Sequence, residues 1–192
     1  MGRTLPNGEL LALVEQLGAT AAEAREVFGG LDGRQINWKP SAESWSVGQC
    51  FEHLIKTNAG FFSTLERIGR GEHKSSVWEK WSPLSGFFGR MVLRAVDPGS
   101  RRKFKAAAKT QPTSSDVEAD VIGRFGEQQT RLAGLMRATD KIDLNKTIVT
   151  SPVASFVTYS LLDAYRVVVT HDRRHFEQAR RVTEAEGFPS GK

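Results

Sequence analysis

The stretch of sequence that decides the fold is LLDAYRVVVTHDRRHFEQARRV, residues 161–182. Its apolar side chains recur every three or four residues, the spacing that places them on one face of an α-helix. Gly187 and Pro189 follow as helix-stop signals, so we predict a helix over 158–186. The apolar positions are Leu161, Leu162, Tyr165, Val168, Val169, Phe176, Ala179 and Val182.

The same periodicity predicts three further long helices, over 7–29, 47–69 and 116–138. Asn7 can cap the first of them, and Ser46-Val47-Gly48-Gln49 and Ser115-Asp116-Val117-Glu118 have the capping-box pattern at the start of the other two. A short helix is predicted over 83–96, and no strand or sheet is expected. The fold class is therefore all-α, an up-and-down four-helix bundle with a long crossover between helices 2 and 3.

Composition favours one self-sufficient domain over residues 1–192. Hydrophobic residues make up 39% and charged residues 26% of the chain, and a chain of this length buries roughly 70% of its unfolded surface. The single cysteine, Cys50, leaves no internal disulfide or cysteine cluster to form. No apolar run approaches the ~18 residues of a membrane span, and the N-terminus has no apolar signal core. We expect a cytoplasmic protein without a membrane partner.

The charge balance is modestly basic, with 27 Lys and Arg against 22 Asp and Glu. Much of the excess lies between Arg94 and Lys109, where Asp97 is the only acidic residue. Such a run is more often a solvated loop than a phosphate-binding groove, and it lacks the interleaved aromatic residues of a nucleic-acid surface. We therefore expect no nucleic-acid partner.

The histidines are the residues most able to carry chemistry. His171 and His175 are four residues apart on the last helix, which places both imidazoles on one face and within reach of one metal ion. His53 lies at the edge of the apolar face of helix 2. The spacing leaves two interpretations open, a metal-binding pair or ordinary histidines on a basic helix face. Cys50 is expected to be a small core residue, and His73 a solvent-exposed spectator.

Asp172 invites comparison of His171-Asp172-Arg173-Arg174-His175 with the HExxH motif of metalloproteases. The aspartate is shorter than the glutamate of that motif, and only 17 residues follow His175 in which to find a third ligand. Asp172 also projects towards the apolar face, where a carboxylate needs a partner such as an arginine, a tyrosine hydroxyl or a ligand imidazole. We expect it to orient or stabilise its neighbours rather than to act as a base.

The four tryptophans lie in the connections between helices. We predict that Trp38 and Trp45 pack against the bundle and not against substrate, because they flank the short connection that enters helix 2. Trp78 and Trp81, in the crossover, could border a pocket.

Two separated stretches together resemble the DinB-like (damage-inducible, YfiT-like) proteins. The first is Trp38-Lys39-Pro40 followed by Ser44-Trp45-Ser46-Val47-Gly48-Gln49 and Glu52-His53-Leu54, which is similar to the start of the second helix in that family. The second is His171-Asp172-Arg173-Arg174-His175-Phe176-Glu177-Gln178-Ala179, which is similar to the family's last-helix signature. The resemblance extends from Trp38 to Val182.

The resemblance implies a divalent metal held by His53, His171 and His175, and a homodimer. Zinc or nickel is favoured, with iron and manganese as further candidates. It also implies a transferase that acts with a low-molecular-weight thiol, or related hydrolase or isomerase chemistry, on a small-molecule substrate; the catalytic residues are unknown. The alternative is a dimeric stress protein that binds a metal or ligand without turnover. Asp172, Gln178 and backbone carbonyls are the expected partners of the second ring nitrogens.

Overall fold

The computed structural model describes residues 8–76, 78–79, 85–99, 108–113 and 116–190. Helices dominate these residues, which confirms the expectation of a mainly α-helical chain. A short 3-10 turn, Ala108–Thr110, follows the fourth helix. The helices are α1 (Gly8–Phe28), α2 (Gly33–Asn37), α3 (Val47–Gly69), α4 (Ser85–Val96), α5 (Val121–Arg137) and α6 (Leu161–Thr183), and the strands are β1 (Ile148–Thr150) and β2 (Thr158–Ser160).

Helix α3 has the bounds that the sequence predicts, and its start is fixed by local capping of the first turn. The Ser46 hydroxyl accepts a hydrogen bond from the Gln49 backbone N–H at 3.1 Å, and the Gln49 side chain accepts one from the Ser46 N–H at 3.3 Å. This reciprocal pair satisfies two of the donors that every helix start leaves unpaired. The helix then carries Cys50, His53 and Leu54 into the interior.

The four long helices pack in a ring in which α1 and α3 each contact both α5 and α6. One apolar cluster joins the starts of α1 and α6 to the ends of α3 and α5, and a second cluster joins the opposite ends. Helices α1 and α6 therefore run one way and α3 and α5 the other, so the predicted up-and-down order was wrong. The first cluster includes Leu10, Leu65, Met136 and Tyr165, and the second includes Phe28, Phe51, Phe125 and Phe176.

This arrangement makes α3 and α6 antiparallel neighbours. The long connection between α3 and α5 returns the chain to the end of the molecule at which α3 begins, so that α5 runs parallel to α3. As a result the first half of α3, which carries His53, lies beside the middle of α6, which carries His171 and His175.

The prediction of no strand was wrong for two short segments. Strands β1 and β2 pair antiparallel, with Val149 opposite Tyr159, and both of these side chains are buried. A strand of three residues is too short to show the alternation of apolar and polar residues by which strands are recognised. Its pairing also depends on residues about ten positions away in the sequence. Because 158–160 is strand, α6 begins at Leu161 rather than at 158, and the Ser160 side chain caps it by accepting from the Asp163 N–H at 3.0 Å. Helix α6 ends at Thr183, before the predicted 186.

Helix α5 begins at Val121 rather than at the predicted residue 116. The Val117 N–H donates to the Asn37 side chain at 2.7 Å, and the Asn37 amide donates to the Val117 carbonyl at 2.9 Å. Residue 117 is thus paired with the end of α2 instead of entering a helix. Ser115, the cap of the predicted capping box, lies outside the described residues, as do Asn7 and residues 83–84.

The basic stretch from Arg94 to Lys109 is described only at its ends. Arg94 is exposed on α4 and Lys109 is exposed in the 3-10 turn, whereas 100–107 fall outside the described residues. Across the described part of the chain, no helix combines the length and the apolar character that crossing a membrane requires.

Candidate metal centre

The structure brings together the three histidines that the sequence analysis singles out. The ring centroids of His53 and His171 lie 5.1 Å apart, those of His53 and His175 4.7 Å, and those of His171 and His175 4.6 Å. One nitrogen atom of each ring lies within 4.8 Å of the other two. His53 and His175 are buried and His171 is half-buried. Three imidazoles at this spacing could bind a single metal ion.

Burial keeps all three imidazoles neutral at physiological pH. Removal from water lowers the pKa of His53, lowers that of His171 to about 3, and takes that of His175 well below its ordinary value. The rings of the cluster reinforce this effect, because a proton on one of them would repel a proton on the next. A neutral imidazole offers a lone pair, which is the form that a metal ion requires.

The tautomer of His53 is fixed by a backbone carbonyl. Its Nδ1 atom lies 2.6 Å from the carbonyl oxygen of Thr110, and a carbonyl oxygen can only accept a hydrogen bond. The proton is therefore on Nδ1, and the lone pair of Nε2 faces His171, whose Nε2 atom lies 3.3 Å away. The expectation that a backbone carbonyl is the partner of a second ring nitrogen is confirmed for His53.

His175 provides the test of whether the cluster suits a metal ion. Its Nδ1 atom is buried and has no hydrogen-bond partner among the described residues, although Gln178, one of the predicted partners, lies close enough to raise the pKa of this ring. A buried nitrogen without a partner costs free energy, which coordination of a metal ion would offset. The cluster therefore fits a metal ion better than it fits three isolated core histidines.

Trp45 forms one wall of this cluster. Its indole is stacked on His175 with a centroid distance of 5.5 Å and an angle of 19°, and it lies 5.0 Å from His53. Trp38, by contrast, packs edge-on against Phe188 at 5.5 Å. Both rings pack against the bundle as predicted. The contact between Trp45 and the histidines was not predicted, because the direction of a side chain in a connection depends on the path of the folded chain.

Asp172 is fully buried, but its partner is none of those expected. The Asn58 amide nitrogen lies 2.9 and 3.3 Å from the two carboxyl oxygens, so the carboxyl group is held between α3 and α6. Burial raises the pKa of Asp172 to about 7, and the hydrogen bond from Asn58 opposes this shift. The sequence analysis missed Asn58 as the partner of Asp172. A polar side chain within the apolar stripe of α3 was the feature that could have indicated it.

Other candidate residues lie away from the cluster. Cys50 is fully buried and burial raises the pKa of its thiol, which confirms a core role. The expectation of a solvent-exposed His73 was wrong: its side chain is 12% exposed and lies 3.9 Å from Glu79, which is buried where it binds β1. Trp78 is 50% exposed and donates to the Phe156 carbonyl, and Trp81 lies outside the described residues.

Comparison with known proteins agrees with this geometry. A family model of the DinB superfamily matches residues 16–179, which include all three histidines and all four long helices in whole or in large part. No curated protein and no solved structure matches the chain. Because the family model covers most of the sequence, the chain belongs to the DinB superfamily.

Proposed function

We propose that the protein binds one divalent metal ion through His53, His171 and His175 and uses it to activate a small thiol in a transfer reaction. The observation that carries the proposal is the approach of three neutral imidazole nitrogens to within 4.8 Å of one another. Membership of the DinB superfamily supports it, since the same three positions carry the resemblance of the sequence. Zinc or nickel suits an all-imidazole site best, and iron or manganese is also compatible.

Three protein ligands distinguish a catalytic site from a closed structural one, because they leave room for a further ligand. A metal ion held in this way would lower the pKa of a thiol that binds to it, and so supply a nucleophile at neutral pH. The residues of the chain have separate tasks. The Thr110 carbonyl holds the His53 ring by its Nδ1 proton, and the Trp45 indole covers one side of His175.

Several finer features of the proposal come from the family resemblance. These are a small-molecule substrate with a low-molecular-weight thiol, assembly into a homodimer, and a cytoplasmic location. Hydrolase or isomerase chemistry at the same centre is the nearest variant of the proposed reaction.

The test is metal analysis of the purified protein, followed by thiol-transfer assays with electrophilic acceptors. The His171→Ala variant should lose transfer, whereas His73→Ala, which alters a histidine outside the cluster, should keep it. Bound metal without turnover of any thiol would reject the transferase and favour a metal-binding stress protein. Equal transfer by both variants would reject the assigned centre.

A further inference from the structure

One face of α3 holds the end of the crossover through four successive polar contacts. Residues 49, 52, 53 and 56 share this face, and all four bind the segment 110–113, which we call the docked segment. Each contact joins an α3 side chain to a backbone group, so the contacts depend on the path of the segment rather than on its side chains. They are Gln49 Nε2 to Thr113 O at 2.8 Å, Thr113 N to Glu52 Oε2 at 2.6 Å, His53 Nδ1 to Thr110 O at 2.6 Å and Lys56 Nζ to Gln111 O at 3.3 Å.

His53 is the member of this face that also belongs to the metal centre. Its Nδ1 atom binds the docked segment, while its Nε2 atom faces His171. Coordination through Nε2 requires the proton to be on Nδ1, which is also the tautomer that Thr110 requires. The hydrogen bond to a carbonyl in turn orients the ring and strengthens it as a ligand.

Glu52 and Gln49 determine where the Thr110 carbonyl lies. They hold the two backbone groups of Thr113, one as acceptor and one as donor. Only two residues separate Thr113 from Thr110, so a shift of Thr113 should move the carbonyl that fixes His53. Among the described residues, the polar partners of Glu52 and Gln49 do not include His171 or His175.

A second part of the crossover, at the end of α4, is held beside the same centre. Arg174, which lies between His171 and His175 in the sequence, donates to the carbonyl oxygens of Ala95 at 3.2 Å and Asp97 at 2.7 Å. Two separate parts of the crossover are thus bound by α6 and α3 close to the histidines.

We propose that Glu52 and Gln49 are positioning residues for the metal centre, acting through the docked segment on His53, so that metal binding and docking of 110–113 strengthen each other. The inference rests on the metal binding proposed above. Linkage requires the effect to be reciprocal: zinc should stabilise the docked segment, and loosening the segment should weaken the binding of zinc.

The test is backbone hydrogen exchange of the full chain with and without zinc, combined with titration calorimetry. Zinc should slow exchange at 108–113 about tenfold, the order of effect that a hydrogen-bonded partner of a metal ligand has on affinity. Glu52→Ala should abolish this zinc-dependent protection and weaken zinc binding about tenfold. Glu52→Gln keeps an oxygen that accepts from Thr113 and should retain both, which separates the hydrogen bond from the charge.

Glu66→Ala is the matched control, because Glu66 lies on the same helix and pairs at the surface with Arg131. It should leave zinc affinity and exchange at 108–113 unchanged. Zinc that binds to wild type without slowing exchange at 108–113 would overturn the inference and leave the metal centre standing. Absence of zinc binding in wild type would overturn both. Hydrogen exchange of wild type with and without zinc tests the coupling between metal binding and the docked segment even if Glu52→Ala fails to fold.

Discussion

The two ring nitrogens of His53 have different partners, and these partners account for a histidine in the interior. Nδ1 donates to the Thr110 carbonyl, which leaves the Nε2 lone pair directed at His171. Two lone-pair nitrogens 3.3 Å apart repel each other unless a proton or a cation lies between them. The lowered pKa values of His53 and His171 keep both rings neutral, so either the Nε2 proton of a neutral His171 tautomer or a metal ion can lie between the two nitrogens.

Asp172 gives a prediction with a defined dependence on pH. Its pKa is about 7 in the folded protein against 3.8 ordinarily, so the folded state keeps a proton that the unfolded chain has lost. The contribution of this group to stability is therefore full below about pH 4 and is lost as the pH rises to about 7. Asp172→Asn should raise the free energy of unfolding by about 1–3 kcal/mol at pH 8, measured by urea denaturation with EDTA present.

The asparagine also suits the surroundings. Asn58 Oδ1 is buried without a partner in the described structure, and the new amide nitrogen could donate to it. At pH 4 the stabilities of wild type and Asp172→Asn should nearly coincide. A variant that is less stable than wild type at pH 8 would show that the carboxylate is ionised and satisfied in the folded protein.

Trp45 gives a second prediction at the scale of the residue. The ring is half-buried rather than fully buried, so Trp45→Ala should lower the free energy of unfolding by about 1–3 kcal/mol, less than the 3–5 kcal/mol typical of a fully buried ring. Trp45→Phe keeps a ring over His175 and should recover most of this loss in chemical denaturation. Equal stability of the alanine variant and wild type would contradict the packing that the structure assigns to this indole.

Among the elements, those with local signals were predicted and those that depend on distant partners were not. The start of α3 follows from the Ser46 and Gln49 capping box, whose two partners are three residues apart. The start of α5 was misplaced because Val117 is bound by Asn37, 80 residues away in the sequence. Strand β2 was assigned to α6 because its pairing with β1 has no local mark.

The candidate site likewise combines features that have a local signal in the sequence with features that depend on distant residues. The spacing of His171 and His175 placed two rings on one helix face, and the family resemblance added His53. The Thr110 carbonyl and the stacked Trp45 could not be predicted, because each depends on how a connection folds back over the helices. Asn58 as the partner of Asp172 depends on α3 and α6 being neighbours, which periodicity does not reveal.

Two glycines test how closely the helices pack. Gly48 lies at the junction of α2, α3 and the chain before α5, and Gly123 lies on α5. A Cβ atom at Gly48 would lie 2.8 Å from the Ile36 side chain and 2.9 Å from that of Val117, both of them buried. Gly48→Ala should therefore lower the free energy of unfolding by about 1–3 kcal/mol. Gly123→Ala, at an exposed position of α5 with nothing within 4 Å, should raise it by up to about 1 kcal/mol.

Both glycine variants are measured by thermal and urea denaturation under one set of conditions. Stabilisation by Gly48→Ala would show that α2 and the chain before α5 do not close over α3 as described. Destabilisation by Gly123→Ala would show that this face of α5 is covered.

At the scale of the whole molecule, apolar packing holds the helices together without help from the metal centre. Two clusters of buried side chains fill the two ends of the helix ring, and His53 and His175 lie where α3 and α6 meet. A metal ion bound at that point would join two helices that already pack against each other. The ion should therefore add to stability without being required for folding.

Removal of metal tests whether the ion adds to stability without being required for folding. Zinc at a hundredfold excess over its dissociation constant should stabilise the fold by about 2.7 kcal/mol, which corresponds to a rise in Tm of roughly 5–10 °C for a chain of this size. EDTA should reverse the rise while leaving the far-ultraviolet circular dichroism at 20 °C unchanged. Loss of helical signal on chelation would show that the metal ion is part of the core.

The most direct test of the central claim is the zinc content of wild type and His171→Ala, measured by elemental analysis after dialysis against zinc and then buffer. Wild type should retain one zinc ion per chain, and His171→Ala should retain little while keeping the helical circular dichroism of wild type. His73→Ala serves as the control, because His73 lies outside the cluster. Equal zinc content in wild type and His171→Ala would contradict the assignment of His53, His171 and His175 as one metal centre.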